Sequence, residues 1–241
     1  MASKGYRFTI GYTYYDEPEL LKEQMKLWDR YPHQIEIILI DDGSQKYPAF
    51  EILKDYNRPD FQLWKVDEDL GFNSHGCRNL IANLASSDNI LFMDIDCQIS
   101  PENVAFLKTC KFNKTSIYKF ALYSSSSFSY TPFPGSPNMF IVNKETFWEA
   151  GGYDESFTGL HYGDREFMTR LDMITETKQI TPSLGINVVR GGRRSVEDLT
   201  VDKTVYDNTN MIIKHPPKTK TYAEMTGTIT SKINFSYSRM L

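Results

Sequence analysis

Short apolar runs alternate with helical patterns through the first hundred residues. Four runs rich in aliphatic and aromatic residues predict strands at residues 6–12, 35–40, 61–66 and 90–93. Runs this short and apolar, two of which end abruptly in acids, are typical of strands that are buried on both faces. Helical segments separate them, and the order β-α-β-α-β-α-β predicts an α/β fold with a wound, mostly parallel sheet and helices on both faces.

The predicted helices carry apolar residues at helical spacing. Leu21, Met25 and Trp28 recur at i, i+4 and i+7, and Pro32 closes that segment. A second helix is predicted to end at about Tyr56. The helix before the fourth strand has an apolar stripe that consists of Cys77, Leu80, Ile81, Leu84 and Ala85.

The pattern is looser beyond Pro101. It predicts a helix to about Lys111, a strand over 116–123, a helix that begins at 163–164 and a short strand over 186–189. Beyond about residue 200 the signals are weak. We therefore expect one domain over 1–199, with two halves that meet at about residue 98, followed by a C-terminal appendage over 200–241.

Aromatic residues are concentrated between residues 118 and 162. They can form a second core layer, or they can line a cleft that faces a sugar, because an aromatic ring offers an apolar face. The sequence leaves both interpretations open. The serine run at 124–127 predicts a loop.

Charge and cysteine content exclude several classes of protein. The net charge is −4, and the basic residues gather late in the chain but are too dispersed for a nucleic-acid-binding stripe. The three cysteines show no CxxC spacing, which favours buried thiols in a reducing compartment. The N-terminus has no apolar signal core, and no run approaches the ~20 apolar residues that span a bilayer. We expect a soluble, cytoplasmic protein.

Acidic residues follow two of the predicted strands. Asp42 comes after the second strand, and Asp94 and Asp96 come after the fourth. Ligands bind beyond the carboxyl ends of strands in open α/β sheets, and two close carboxylates favour a divalent cation between them. A solvated turn is the simpler alternative for an Asp-x-Asp motif considered alone.

Several phosphate-binding and hydrolytic motifs are absent from the sequence. No GxGxxG follows a strand, and there is no GxSxG or HExxH. The glycines at 71 and 76 have the spacing of a P-loop, but Cys77 and Arg78 follow where that motif has Lys and Ser or Thr.

Six stretches form a recognisable series along the chain: 10–18, Ile40-Asp-Asp-Gly-Ser44, 71–79 with its Gly-Cys-Arg-Asn ending, Met93-Asp-Ile-Asp96, 137–155 and 163–170. Taken in order, they resemble the inverting glycosyltransferases of the GT-A fold, the family 2 type that uses nucleotide-diphospho-sugars. The likeness runs over roughly residues 6–190, and it implies a nucleotide-binding half at about 1–98 and an acceptor half at about 99–199.

The resemblance implies roles in donor binding. Asp42 accepts hydrogen bonds from the nucleotide base, Tyr12 and Tyr14 line the base pocket, and Arg78 braces that pocket or the diphosphate. Asp94 contacts the ribose or the metal. A UDP-sugar is the favoured donor and a GDP-sugar the next, and the acceptor is a glycan or another hydroxyl compound.

The resemblance also implies the metal and the catalytic base. Asp96, with Asp94, binds Mn²⁺ or Mg²⁺, which neutralises the diphosphate leaving group. Asp164 matches the second acid of the family's Glu-Asp pair and takes the proton of the acceptor hydroxyl. A helix N-cap is the simpler alternative for Asp164.

The sequence departs from the family's pattern at two places. Gly163 stands where the family usually has the Glu of the pair, which puts a hydrogen bond to the acceptor in doubt. No His follows the last strand as a third metal ligand, and His215 is a distant substitute. The residues that offer diphosphate or acceptor contacts instead are Arg190, Arg193, Arg194 and His161, and a solvated basic loop is the alternative for the arginines.

Two functions from other classes stay open at this point. An Asp-x-Asp phosphohydrolase usually has its motif on the first strand and Thr or Val two residues after the second Asp, where this chain has Gln98. A non-catalytic relative that binds a nucleotide sugar or carbohydrate would be compatible with Gly163. Release of free nucleoside diphosphate separates these functions from a glycosyltransferase.

Overall fold

A computed structural model describes residues 6–71, 73–124, 138–157, 163–181, 184–189 and 233–241. The serine run beyond Ser124, His161, and the segment that holds Arg190, Arg193, Arg194 and His215 lie outside the described residues. Within the described part of the chain, no helix has both the length and the apolar character that a membrane crossing requires.

Four parallel strands form the centre of the main sheet, as the apolar runs predict. Three of them, at residues 8–14, 35–41 and 89–94, are nearly continuous in buried residues, because helices cover both faces of the sheet, whereas the strand at 61–66 is only half buried. The strands are β1 (Phe8–Tyr14), β2 (Ile35–Asp41), β3 (Phe61–Val66) and β4 (Asn89–Asp94).

Further strands extend this sheet and form a smaller one. The small sheet has the order β5-β10-β7, and the main sheet has eight strands in the order β11-β3-β2-β1-β4-β8-β6-β9. Strand β8 runs antiparallel to β4, and β11 runs antiparallel to β3. The bounds are β5 (Cys97–Gln98), β6 (Ser116–Lys119), β7 (Leu122–Ser124), β8 (Phe140–Asn143), β9 (Glu176–Gln179), β10 (Ile186–Val188) and β11 (Tyr237–Arg239).

Six α-helices lie among the described residues, together with a 3₁₀ turn at Glu155–Phe157. Residues of β2 alternate between two hydrophobic clusters: Ile37 and Leu39 face one side, and Ile38 and Ile40 face the other. The prediction of helices on both faces is therefore confirmed. The helices are α1 (Pro18–Trp28), α2 (Ala49–Leu53), α3 (Ser74–Leu84), α4 (Pro101–Leu107), α5 (Lys144–Glu149) and α6 (Gly163–Ile174).

The structure differs from the predicted elements in the second half. The single strand predicted over 116–123 is two strands, β6 and β7, which belong to different sheets. Buried Phe120 and Ala121 lie at the break, where the chain passes from one sheet to the other. No glycine or proline within 116–123 marks the change of sheet.

The C-terminal residues 233–241 belong to the main sheet. Ser238 of β11 lies opposite Lys65 of β3, and the Ser238 hydroxyl donates to Asp67 over 2.7 Å. Residues 190–232 lie outside the described residues, so the domain boundary at residue 200 stays a prediction.

The aromatic residues described between 138 and 157 mostly fill the core. Phe140, Phe147, Tyr153 and Phe157 are buried, and the first three belong to the cluster that contains Phe167 of α6. The rings of Tyr153 and Phe167 have centroids 4.2 Å apart. These rings form the second core layer that was one of the two interpretations.

A buried acid connects strands and a loop at the amino end of the parallel strands, opposite the predicted site. Glu36 accepts from the Thr9 hydroxyl over 2.6 Å, from Gln62 over 2.9 Å, and from both the amide and the hydroxyl of Ser86 over 2.8 Å. These four hydrogen bonds compensate for the free-energy cost of burying the Glu36 carboxylate.

We expect Glu36→Gln to lower the free energy of unfolding by about 1–3 kcal/mol, because the new amide group faces donors rather than acceptors. Urea unfolding measures this change. Glu51→Gln on α2 is the matched control, because Glu51 is 65% exposed and should be within about 0.5 kcal/mol of wild type. Equal stability of Glu36→Gln and wild type would contradict the structural role of Glu36.

Candidate active site

The acids predicted from the sequence gather beyond the carboxyl ends of the central strands. Asp42 follows β2, Asp94 ends β4, and Asp96 lies in the turn between β4 and β5. Arg78 comes from α3 and Asp164 from the first turn of α6. The fold thus brings together five of the predicted site residues from separate parts of the chain.

The guanidinium of Arg78 joins two of these acids. Its Nη2 donates to Oδ1 of Asp94 over 2.5 Å, and its Nη1 donates to Oδ1 of Asp164 over 2.8 Å. The side chain is only 2% exposed and lies over the ring of Tyr153, with 5.5 Å between Cζ and the ring centroid. Burial lowers the pKa of Arg78, but Asp164 and Asp94 outweigh burial and raise it, so the guanidinium stays charged.

Asp164 is the second residue of α6, and its carboxylate is turned towards α3. Oδ1 accepts from Arg78, and Oδ2 lies 3.7 Å from Nε2 of His75. Burial raises the pKa of Asp164, but Arg78, His75 and Tyr153 outweigh it and lower the pKa to about 2. The carboxylate is thus held by other elements, which a solvated N-cap would not require.

Asp94 and Asp96 form the acidic end of the site. Asp94 accepts from Arg78 and, through Oδ2, from the side-chain amide of Asn138 over 3.2 Å. The thiol of Cys97 donates to Oδ1 of Asp96 over 3.2 Å. Burial, followed by the charge of Asp94, raises the pKa of Asp96 to about 6.

The chemistry of this cluster suits a cation that prefers oxygen. Ligand atoms of Asp94, Asp96 and Cys97 all lie within 4.8 Å of one another. Burial and the two nearby carboxylates raise the pKa of the Cys97 thiol well above its ordinary value, so it stays protonated and is a poor ligand. The two carboxylates are therefore the residues that fit Mn²⁺ or Mg²⁺.

Helix α1 holds the turn that carries Asp96. The side-chain amide of Gln24, which is fully buried, donates to the carbonyl oxygens of Ile95 over 3.0 Å and Cys97 over 2.5 Å. On the other side, the Val189 amide donates to the carbonyl oxygen of Asp96 over 2.8 Å. The backbone on either side of the Asp96 side chain is thereby anchored.

The neighbouring acids Asp41 and Asp42 have different surroundings. Asp41 accepts from the amides of Ser44 and Ala49, each over 2.8 Å, and so holds the turn and the start of α2. Asp42 accepts from the amide of Asn73 over 2.9 Å, directly before α3. Asp41 therefore maintains the local structure, whereas Asp42 connects β2 to the helix that carries Arg78.

The two predicted base-pocket tyrosines are buried. Tyr14 is 1% exposed, and its hydroxyl donates to the carbonyl oxygen of Tyr47 over 2.6 Å. Tyr12 is fully buried, its ring centroid lies 5.2 Å from that of Trp28, and burial raises its pKa to about 12. Both side chains are packed as core residues are, and their role in a base pocket stays a prediction.

Sequence reasoning missed several residues that contact the site. Gln24 lies on an amphipathic helix with no motif, and His75 lies inside the stretch 71–79 without a recognisable role. Tyr153 and Asn138 belong to the stretch 137–155 that carried the resemblance, which was the one available signal for them. His161, Arg190 and Arg193 lie outside the described residues, and their roles stay predictions.

Solved structures similar to this chain include crystal structures of S. aureus TarS. S. aureus TarS 1-349 in complex with UDP-GlcNAc matches with a TM-score of 0.70, 13% identity, and coverage of 86% of this chain and 65% of that chain. Another crystal structure of TarS 1-349 matches with a TM-score of 0.64, 13% identity, and coverage of 90% and 73%. At these identities the likeness concerns the fold, and it confirms the predicted GT-A architecture.

A third similar structure is the mannosyltransferase PcManGT from Pyrobaculum calidifontis in complex with GDP-Man and Mn2+. It matches with a TM-score of 0.59 and 14% identity, and the match covers 78% of this chain and 58% of that chain. This chain therefore spans only part of the proteins that it resembles. No curated protein sequence matches this chain.

The profile described as Glycosyltransferase like family 2 matches residues 11–117 and 106–225. The two stretches overlap and together include the second half of β1, all of β2 to β4, Arg78, both acids of the Asp-x-Asp motif and Asp164. They cover most of the 241 residues, so the chain belongs to the glycosyltransferase-like family 2.

Proposed function

We propose that this protein is a metal-dependent, inverting glycosyltransferase that moves a sugar from a nucleotide-diphosphate sugar to an acceptor hydroxyl. The observation that carries the proposal is the bridge from Asp94 through Arg78 to Asp164. One guanidinium thus contacts both the acid that we propose as the base and one of the two acids that we propose as metal ligands. Family membership supports the reaction class.

The donor would lie over the carboxyl ends of β1, β2 and β4. Asp42 is the residue that we assign to the base, because it follows β2 at this edge. A UDP-sugar is the first choice of donor and a GDP-sugar the second. The structures that resemble this chain support both choices, since TarS 1-349 is in complex with UDP-GlcNAc and PcManGT is in complex with GDP-Man and Mn2+.

Asp94 and Asp96 would hold the divalent cation. A bound cation would supply electrostatic stabilisation to the diphosphate as it leaves. Each carboxylate oxygen has more than one lone pair, so the hydrogen bonds from Arg78, Asn138 and Cys97 do not exclude a metal. The side-chain amide of Gln24 would hold the backbone on both sides of Asp96 in place for the metal.

Asp164 would accept the proton of the acceptor hydroxyl. With a pKa of about 2 it is ionised throughout the physiological range, but it is a weak base. A weak base suffices when the proton moves late, because the acceptor oxygen becomes a strong acid once it has bonded to the anomeric carbon. The bond from that carbon to the diphosphate breaks as the new bond forms on the opposite face, which inverts the configuration.

An assay of nucleoside diphosphate release tests the proposal. Several UDP- and GDP-sugars are incubated with a panel of hydroxyl acceptors, with Mn²⁺ and with EDTA. Metal-dependent release that requires an acceptor supports a transferase. Binding of a nucleotide sugar without turnover would instead identify a non-catalytic relative, and release of inorganic phosphate would identify a phosphohydrolase.

We expect Asp164→Asn to lower turnover by about 10²–10⁴-fold, because the amide keeps the shape of the side chain but cannot take a proton. Donor affinity should be nearly unchanged. Asp172→Asn is the matched control, because Asp172 is an exposed acid on the same helix. A fully active Asp164→Asn variant, or retention of configuration in the product by NMR, would refute the assignment of the base.

Manganese affinity should fall as the pH falls through about 6, because a proton on Asp96 competes with the metal. The raised pKa means that the Asp96 carboxyl group is mainly ionised above this pH and mainly protonated below it. Calorimetric titration at pH 7.5 and pH 5 should show an affinity about tenfold lower at pH 5. Asp96→Asn should bind weakly at both values, and a wild-type affinity that does not change with pH would contradict the metal site.

Asp42→Ala should weaken nucleotide affinity by roughly ten- to a hundredfold, because a base N–H loses its acceptor at a cost of about 1–3 kcal/mol. Titration of UDP and GDP by calorimetry measures this loss. Asp41→Ala is the comparison, because Asp41 accepts from the amides of Ser44 and Ala49. The main effect of that variant should be a lower Tm rather than a weaker nucleotide affinity. An unchanged dissociation constant in Asp42→Ala would remove Asp42 from the site.

A further inference from the structure

Position 163 has a glycine where the family usually has a Glu, and the space beside it is filled. A Cβ on Gly163 would lie 2.7 Å from Nε2 of His75 and 2.9 Å from both Cδ2 and Cε1 of the same ring. Cβ atoms essentially never approach other atoms so closely. The imidazole of His75 therefore occupies the space that a side chain at 163 would need.

Packing against two other rings fixes the position of the His75 imidazole. The side chain of His75 is fully buried, and its ring lies 5.5 Å from the Tyr153 ring and 6.3 Å from the Phe157 ring, measured between centroids. Both neighbouring rings are themselves buried. A larger residue at 163 would have to displace a packed aromatic cluster rather than a mobile side chain.

His75 and Arg78 reach Asp164 from the same face of one helix. They are three residues apart on α3, so their side chains lie on adjacent turns. Arg78 donates to Oδ1 of Asp164 over 2.8 Å, and Nε2 of His75 lies 3.7 Å from Oδ2. Each oxygen of the carboxylate thus has its own nitrogen neighbour.

We propose that His75 is a positioning residue that holds the second carboxylate oxygen of Asp164, in the space left by the glycine at 163. Arg78 alone leaves the carboxylate able to rotate about its bond to Cβ, because it contacts one oxygen. The imidazole restricts that rotation from the other side. The proposal rests on the proposed function for its catalytic consequence but not for the geometry.

Two variants of His75 separate the role of its nitrogens from the role of its ring. His75→Phe keeps an aromatic ring against Tyr153 and Phe157 but removes both nitrogens. His75→Gln places an amide nitrogen near the position of Nε2. We expect His75→Phe to lower kcat about five- to fiftyfold with little change in the KM of the donor, and His75→Gln to recover most of that loss.

Gly163→Ala tests whether position 163 acts through His75. In the wild-type background the new methyl group should displace the imidazole and lower kcat about as much as His75→Phe. In a His75→Ala background the space is open, so Gly163→Ala should cause little further loss. Losses that multiply in the double variant would overturn the proposal, as would wild-type kcat in His75→Phe.

A structural measurement keeps the test independent of turnover. Crystal structures of wild type and His75→Phe should show Asp164 rotated or in two conformers only in the variant, at similar Tm. If wild type turns over no nucleotide sugar but Asp164 still moves in the variant, the proposed function fails and the positioning role stands. An unmoved Asp164 in a folded His75→Phe variant overturns the positioning role itself.

Discussion

A buried guanidinium that joins two carboxylates from distant parts of the chain is the interaction on which the site depends. Arg78 is 2% exposed and cannot lose its proton, so the fold has to supply negative charge around it. Asp94 supplies it from the end of β4, and Asp164 supplies it from the start of α6. Removing either acid would leave a buried charge short of a partner, which is expensive in free energy.

This arrangement connects the two halves of the domain. The parallel strands β1 to β4 carry Asp94 and its neighbouring acids at their carboxyl ends. Helix α6 belongs to the later half of the domain, where it shares a hydrophobic cluster with β8 and α5. Arg78 and Tyr153 lie between the two halves. The ring of Tyr153 packs at an angle against that of Phe167 and lies under the guanidinium. The position of Asp164 relative to Asp94 is therefore set by a packed core as well as by charge.

The pKa values of Asp164 and Asp96 are shifted in opposite directions because their neighbours differ. The pKa of Asp164 is lowered to about 2 because Arg78, His75 and Tyr153 outweigh its burial. The pKa of Asp96 is raised to about 6 because it is buried beside another carboxylate, and Arg78 is paired with Asp94 instead. One acid is thus kept ionised, and the other is left short of positive charge, which is the condition that a divalent cation relieves.

The sequence by itself determined the wound α/β sheet and the acids at its edge, because burial on two faces requires continuous apolar runs, and parallel strands bring their carboxyl ends together. It did not predict the passage of the chain between sheets at Phe120, the edge strand at 237–239, or the burial of Tyr12 against Trp28. Those features depend on which distant strand or side chain of the same chain lies beside a segment. The local spacing of apolar residues does not encode that neighbour. Only the tertiary structure brought Gln24 to the Asp96 turn and His75 to Gly163, because each contact joins residues at least 71 positions apart through space rather than through any motif.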